Sequence, residues 1–325
     1  MKRLLVTLFG VMAIVVLAAC GAATPGQTET SGGGGTPAKL RIGLLPIIDA
    51  LPMYVAEAQG YFKEQKLDVE LTVFASAMER DSALQAGQTD GQLNDLIATG
   101  LINKDGERAK AVRVSYKANP KMAMLTIVAA PNGKVKTAAD LKGVPVAVSG
   151  NTVIEFGTDR MLRTAGLSPA DIKTTEVTKI PVRLEMLAKG QIEAATLPEP
   201  FTSLALQQGA RIVVDDKQAN QNESVITFRQ EVIEKNSDAM RRFLAAYEKG
   251  VQAISEKPEQ YRDLMVEKAK VPDTLRQSLA IPPFPKAGVS SREEVASVVE
   301  WMVGKGMLPE KLSYERMINA TLLPK

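Results

Sequence analysis

From Leu40 onward the chain alternates short apolar runs with stretches of helical period, and it does so twice. That alternation predicts strands joined by crossover helices on a parallel sheet. In the first round, strands are expected at 40–45, 67–74, 91–93 and 109–115, with helices at 52–59, 76–85 and 95–102 between them. A strand at 125–130 would leave this unit. The second round places strands at 144–148, 172–177, 192–196 and 211–214, with helices at 152–164, 182–189 and 200–208. Val225 to Phe228 would then return to the first unit, and the remainder reads as helical at 237–255, 258–270 and 291–305. The two rounds echo each other: Leu84-Gln85-Ala86-Gly87-Gln88-Thr89-Asp90-Gly91 is matched by Leu187-Ala188-Lys189-Gly190-Gln191-Ile192-Glu193-Ala194, 103 residues later. Any helix-glycine-strand corner looks somewhat like this, but the glutamine and acid at equal offsets favour two lobes built on one plan.

The start of the chain bears on its compartment. Lys2 and Arg3 precede a 16-residue apolar stretch, Leu4 to Ala19. A membrane-spanning helix needs about 20 such residues, so the stretch reads as a secretory signal over residues 1–19. It ends in Leu17-Ala18-Ala19-Cys20, which resembles the lipobox of bacterial lipoproteins and implies lipidation at Cys20; an ordinary cleaved signal is the alternative. Residues 20–38 are rich in Gly, Thr and Ala and include Ser31-Gly32-Gly33-Gly34-Gly35. Such a stretch buries no core and is expected to act as a tether.

Composition excludes several chemistries. Cys20 is the one cysteine, and there is no histidine, which removes disulfides, thiolate chemistry and the commonest general base and metal ligand. The net charge is +3, and +1 without Lys2 and Arg3, so no nucleic-acid footprint is present. No glycine-rich phosphate loop, paired-carboxylate dyad or metal-spaced cluster stands out. No metal or cofactor is expected, and the chain reads as a binder and not an enzyme.

Several segments, in order, resemble a known family. They are Ile42-Gly43-Leu44-Leu45-Pro46, Pro52-Met53-Tyr54-Val55-Ala56, Gly60-Tyr61-Phe62 and Leu67-Asp68-Val69-Glu70. Ala83 to Gly91, Asp140-Leu141-Lys142-Gly143 and Leu197-Pro198-Glu199-Pro200 continue the series. Together they resemble the solute-binding proteins of the nitrate, sulfonate and taurine ABC import group, which includes thiamine-precursor binders. The resemblance implies a periplasmic-binding-protein fold of the second type: two α/β lobes, two crossing strands and a central ligand cleft. It divides the chain into lobe 1 at 39–127, lobe 2 at 128–223 and a return to lobe 1 at 224–325. It also implies a small-molecule nutrient, partnership with ABC permease transmembrane subunits, and an extracytoplasmic, lipid-anchored monomer that delivers solute by hinge closure.

In open α/β sheets, ligands bind beyond the carboxyl ends of the strands. That rule nominates Asp49, Ser76, Asn94, Asp95 and Tyr116 in the first lobe, and Asn151, Thr152, Glu155 and Glu199 in the second. Asp95, Asn151, Thr152 and Glu155 read equally well as helix caps or first-turn residues. Tyr54, Tyr61 and Phe62, at helical spacing, read as core. Four acids against Arg80 as the nearby base favour a neutral or cationic ligand, a thiamine-type pyrimidine or another vitamin. Helix N-termini at Ser76 and Gly150 keep an anion such as nitrate, a sulfonate or taurine open. A surface lipoprotein without a small-molecule ligand, and a pyrimidine-synthesis-like enzyme, are the rival classes.

Overall fold

The computed structural model describes residues 37–218 and 222–324. The signal, Cys20 and all but the end of the tether therefore lie outside the described residues. The first four strands are β1 (Ala38–Leu44), β2 (Leu67–Val73), β3 (Gly91–Asn94) and β4 (Ala109–Lys117). Between them run α1 (Leu51–Ala58), α2 (Tyr61–Glu64), α3 (Ala77–Gln85) and α4 (Leu96–Ile102). Sequence sets these boundaries locally. A proline sits in the first turn of α1, where its missing N–H costs nothing. Ser76 Oγ accepts from the Glu79 N–H at 3.2 Å to start α3, and Asp95 Oδ1 accepts from the Ala98 N–H at 2.8 Å to start α4.

The chain then builds β5 (Leu125–Ala129), β6 (Pro145–Val148), β7 (Lys173–Glu176), β8 (Ala194–Pro198) and β9 (Arg211–Asp215). Their helices are α5 (Val153–Thr164), α6 (Ile180–Ala188) and α7 (Phe201–Gln207). β10 (Glu223–Arg229) returns to the first sheet, followed by α8 (Gln230–Glu256), α9 (Arg262–Lys268), α10 (Arg292–Gly304) and α11 (Tyr314–Met317). The result is two five-stranded sheets, in the orders β2-β1-β3-β10-β4 and β7-β6-β8-β5-β9. Position by position these are the same arrangement, and the eight-residue echo falls on matching corners. Gly87 and Gly190 both take positive φ (72° and 67°), and the following Gln88 and Gln191 N–H groups donate back to Ala83 and Met186 at 2.9 Å each.

Both sheets are mixed, not purely parallel. β10 runs antiparallel to β3 and β4, and β5 antiparallel to β8 and β9. Each lobe takes in one strand that arrives from the other lobe, so that strand enters from the opposite end. The chain changes lobe between β4 and β5 and again between β9 and β10. The first change lies before β5 rather than at the expected boundary of 127/128, because Thr126 is already paired within the second sheet. The two connections lie side by side: the Ala118 N–H donates to the Asn222 carbonyl at 3.1 Å.

α8 is the spine of the first lobe. Phe243, fully buried, stacks on Phe62 at 5.2 Å and meets the edge of Phe228 at 5.4 Å. α8 lies so close to α1 that a Cβ on Gly250 would sit 2.4 Å from the Pro52 carbonyl oxygen. The helix predicted from Ser237 corresponds to its second part, because Asn236 leaves helical geometry (φ −153°, ψ 56°) and its Oδ1 accepts from the Ala239 N–H at 3.2 Å. α10 packs on α4, where a Cβ on Gly100 would lie 2.9 Å from Met302 Cε. Its other side meets the second lobe. Trp301 stands edge-on to Phe156 at 5.3 Å, Arg160 donates to Ser297 Oγ at 3.0 Å, and Lys305 pairs with Glu155 at 2.7 Å.

Candidate ligand cleft between the lobes

The carboxyl ends of the central strands of both sheets face a shared cavity of about 40 Å3, room for on the order of three waters. Its walls are mostly apolar. Leu45, Ile47, Ala77 and Leu93 come from the first lobe, and Val153, Ile154, Ile180 and Pro198 from the second. Met124 and Leu125 line it where the chain changes lobe. Polar groups are few: Asp49, Arg80, Asn94, Asp95 and Ser224 on one side, Ser149 and Thr152 on the other.

Each of these is held by a specific neighbour. Asp49 sits in a turn just before α1, and its Oδ2 accepts from Ser224 Oγ on β10 at 2.8 Å. Burial pushes its pKa up to about 6 against that hydrogen bond. Burial likewise raises Asp95, opposed by the Arg80 charge and the Ala98 N–H; the Val153 N–H of the other lobe also favours its ionised form. Arg80 is engaged within its own lobe. Its Nε and Nη2 donate to Asp81 Oδ1 at 2.9 and 2.8 Å, and Nη1 to the Leu93 carbonyl at 2.8 Å. Asn94 is fixed by Thr227 Oγ1, which donates to Oδ1 at 2.6 Å.

Of the residues nominated from sequence, Asp49, Asn94, Asp95 and Thr152 lie on the cavity wall. Ser76 caps α3 beside Ala77. Tyr116 is buried behind Asp49, and its hydroxyl pKa is raised by burial and then by Asp49 and Asp216. Asn151 is exposed with a left-handed φ of 59°. Glu155 faces away from the cavity: Asn151 N–H donates to its Oε2 at 2.8 Å, and Lys305 takes its Oε1. Glu199 accepts from the Ser203 N–H at 3.2 Å, and burial raises its pKa. Its carbonyl oxygen lies 3.4 Å from the Ile48 N–H across the lobes.

Met124, Leu125 and Ser224 were not nominated. They belong to the strands that change lobe, which present their amino-terminal ends to the cleft, and a rule for carboxyl ends passes over them. The helix N-termini expected to be open are already served. Glu79 accepts from Ala75 N–H at 3.2 Å before α3, and Glu155 from Asn151 before α5. Among the described residues no group of acids could hold a metal ion, and no helix is long and apolar enough to cross a membrane.

Three buried acids make stability depend on pH. Burial raises Asp49 and Asp216 to about 6 and Glu223 to about 7. A carboxyl raised in the folded state favours folding while protonated, and that contribution is lost as pH rises through the raised value. Melting followed by circular dichroism is expected to show a higher midpoint at pH about 5.5 than at about 8, with Glu223 as the largest contributor at about 2 kcal/mol, because the loss at Asp49 and Asp216 falls mostly below pH about 5.5. A midpoint that climbs steadily over that range would contradict the burial of these acids.

Comparison with known proteins places the chain. The family model described as "NMT1/THI5 like" matches residues 48–261. An Escherichia coli K12 protein named for aliphatic sulfonate binding is 28% identical over 217 residues, covering 65% of this chain and 66% of its own. Riboflavin-binding protein RibY of Chloroflexus aurantiacus is 24% identical over 285 residues, covering 82% and 79%. Among solved structures, the periplasmic aliphatic sulphonate-binding protein SsuA of Escherichia coli superposes with a TM-score of 0.72 at 23% identity, covering 87% of this chain and 92% of that one. With its two matching α/β lobes around a shared cleft, the chain belongs to the NMT1/THI5-like family and has the periplasmic-binding-protein fold.

Proposed function

We propose that this chain is the substrate-binding component of an ABC importer, not an enzyme, and that it closes two lobes over a small nutrient and presents the closed form to a permease. The cavity carries this reading: its wall is drawn from both lobes, from Met124 and Leu125 where the chain enters the second lobe, and from Ser224 on the strand that returns to the first. A solute held by both walls stabilises the closed form by the difference in its affinity for the two states, and the two changes of lobe, before β5 and before β10, would act as the hinge. The relatives named for sulfonate and riboflavin binding support the class. In this reading the lobe boundaries expected at 127/128 and 223/224 shift to the connections before β5 and before β10, and the chain is an extracytoplasmic monomer anchored through lipidated Cys20. Mass spectrometry of the N-terminal peptide checks the anchor, since an unmodified peptide beginning before Cys20 would remove it.

The ligand in this proposal is a neutral or cationic heterocycle, of the thiamine-type pyrimidine or vitamin kind. Asp49 and Asp95 stand on the wall while Arg80 is occupied by Asp81, and an anion close to an ionised buried carboxylate is repelled by several kcal/mol, roughly, in a dry site. An anionic ligand, nitrate, a sulfonate or taurine, is the second reading, and one observation favours it. Arg183 is fully buried behind Ser149, carries no ion pair among the described residues, and burial lowers its pKa to about 9. A thermal-shift panel of vitamins, pyrimidines, sulfonates and nitrate separates the two. A solute at 100 times its Kd adds about 2.7 kcal/mol, with compaction in small-angle scattering. No stabilisation and no compaction with any solute would sink the importer reading.

A further inference from the structure

The hydroxyl groups on the cavity wall have one proton each, and the structure accounts for all three. Ser149 Oγ donates to the Thr178 carbonyl at 3.1 Å and receives Arg183 Nη1 at 2.9 Å. Thr152 Oγ1 donates to the Ser149 carbonyl at 2.8 Å and receives the Ile154 N–H at 3.1 Å. Ser224 Oγ donates to Asp49 at 2.8 Å. What each hydroxyl has left is a lone pair. Two amides at the start of α5 are spent as well, Asn151 on Glu155 and Ile154 on Thr152, and the Val153 N–H between them favours the ionised form of Asp95.

We infer that the cleft selects its solute by hydrogen-bond donors: Asp49, Asp95, Ser149, Thr152 and Ser224 form a frame of acceptors around an apolar body, with Arg80 and Asn94 the two donor-bearing side chains on the wall, Asn94 already tied to Thr99 and Thr227. This rests on the ligand-binding reading of the cleft and narrows it. A solute with N–H or O–H groups on edges facing both lobes satisfies the frame. One offering only acceptors leaves buried lone pairs facing lone pairs, and unmatched buried polar groups are the strongest source of discrimination between similar ligands. Arg80 keeps spare N–H groups, but Asp81 neutralises it and the Leu93 carbonyl fixes its direction.

Calorimetry on the chain from Cys20 onward, which retains the whole described fold, tests the frame with matched probes. These are riboflavin against N3-methylriboflavin, 4-amino-5-hydroxymethyl-2-methylpyrimidine against its dimethylamino analogue, and the donor-free anions nitrate and ethanesulfonate. The donor-bearing member of at least one pair is expected to bind at least tenfold tighter than its methylated partner. Asp49→Asn, which turns an acceptor-only group into one that also donates, is expected to shrink that ratio at least tenfold. Equal binding within the pairs, a donor-free anion as the tightest ligand, or no binding by any probe overturns the donor rule. Tight ethanesulfonate binding with lobe compaction would do so while leaving the importer reading intact, so the two failures are distinguishable.

Discussion

Replacing Asp216 by alanine is expected to lower the unfolding free energy by about 2–4 kcal/mol and to weaken solute binding. Asp216 is fully buried where the chain returns from the second lobe. Its carboxylate accepts from the Met124 N–H (2.9 Å), the Leu125 N–H (3.1 Å) and Asn222 Nδ2 (2.8 Å). One side chain therefore ties both lobe-to-lobe connections together. Alanine would leave three buried donors unmatched, at about 1–3 kcal/mol each. Burying the charge already costs something, as the raised pKa of about 6 shows, so the net loss is smaller than the sum. Asp216→Asn can keep two of the three bonds without the charge, and a loss of about 1 kcal/mol is expected. Urea unfolding of both variants decides the matter. Equal stability of Ala and wild type would mean that the connections do not depend on this group.

Phe243→Ala is expected to be the most damaging simple truncation, at about 3–5 kcal/mol. The ring has no exposed surface and is held from two sides by Phe62 on α2 and Phe228 on β10. Removing it opens a void between α8 and the first sheet that neither neighbouring ring can fill without leaving its own contacts. Chemical denaturation with an unchanged m-value is the expected signature. A loss under about 1 kcal/mol would show that α8 is not the mechanical centre of that lobe.

Much of this architecture was legible because its signals are local. Thr152, Asp95 and Ser76 each precede an apolar helical period, and each caps the helix predicted from it. Cap and ligand readings of Thr152 and Asp95 turn out not to compete, since both side chains cap and line the cavity at once. The returning strand at Val225 to Phe228 was also legible, from its apolar run alone. Strand direction was not. Nothing in Leu125 to Ala129 reveals that it runs antiparallel to β8, because side chains alternate the same way in either direction. For the same reason Met124 and Ser224 could not be nominated for the wall. The engagement of Arg80 by Asp81, one residue away, was likewise hidden, since adjacent residues on a helix do not ordinarily face each other.

The chain carries a single tryptophan, and it stands where α10, seated on the first lobe, touches Phe156 of the second. Its indole emission is thus a native optical gauge of the gap between the lobes. Any solute that changes their separation alters the polarity around that one ring, so capture can be followed in unlabelled protein and in real time.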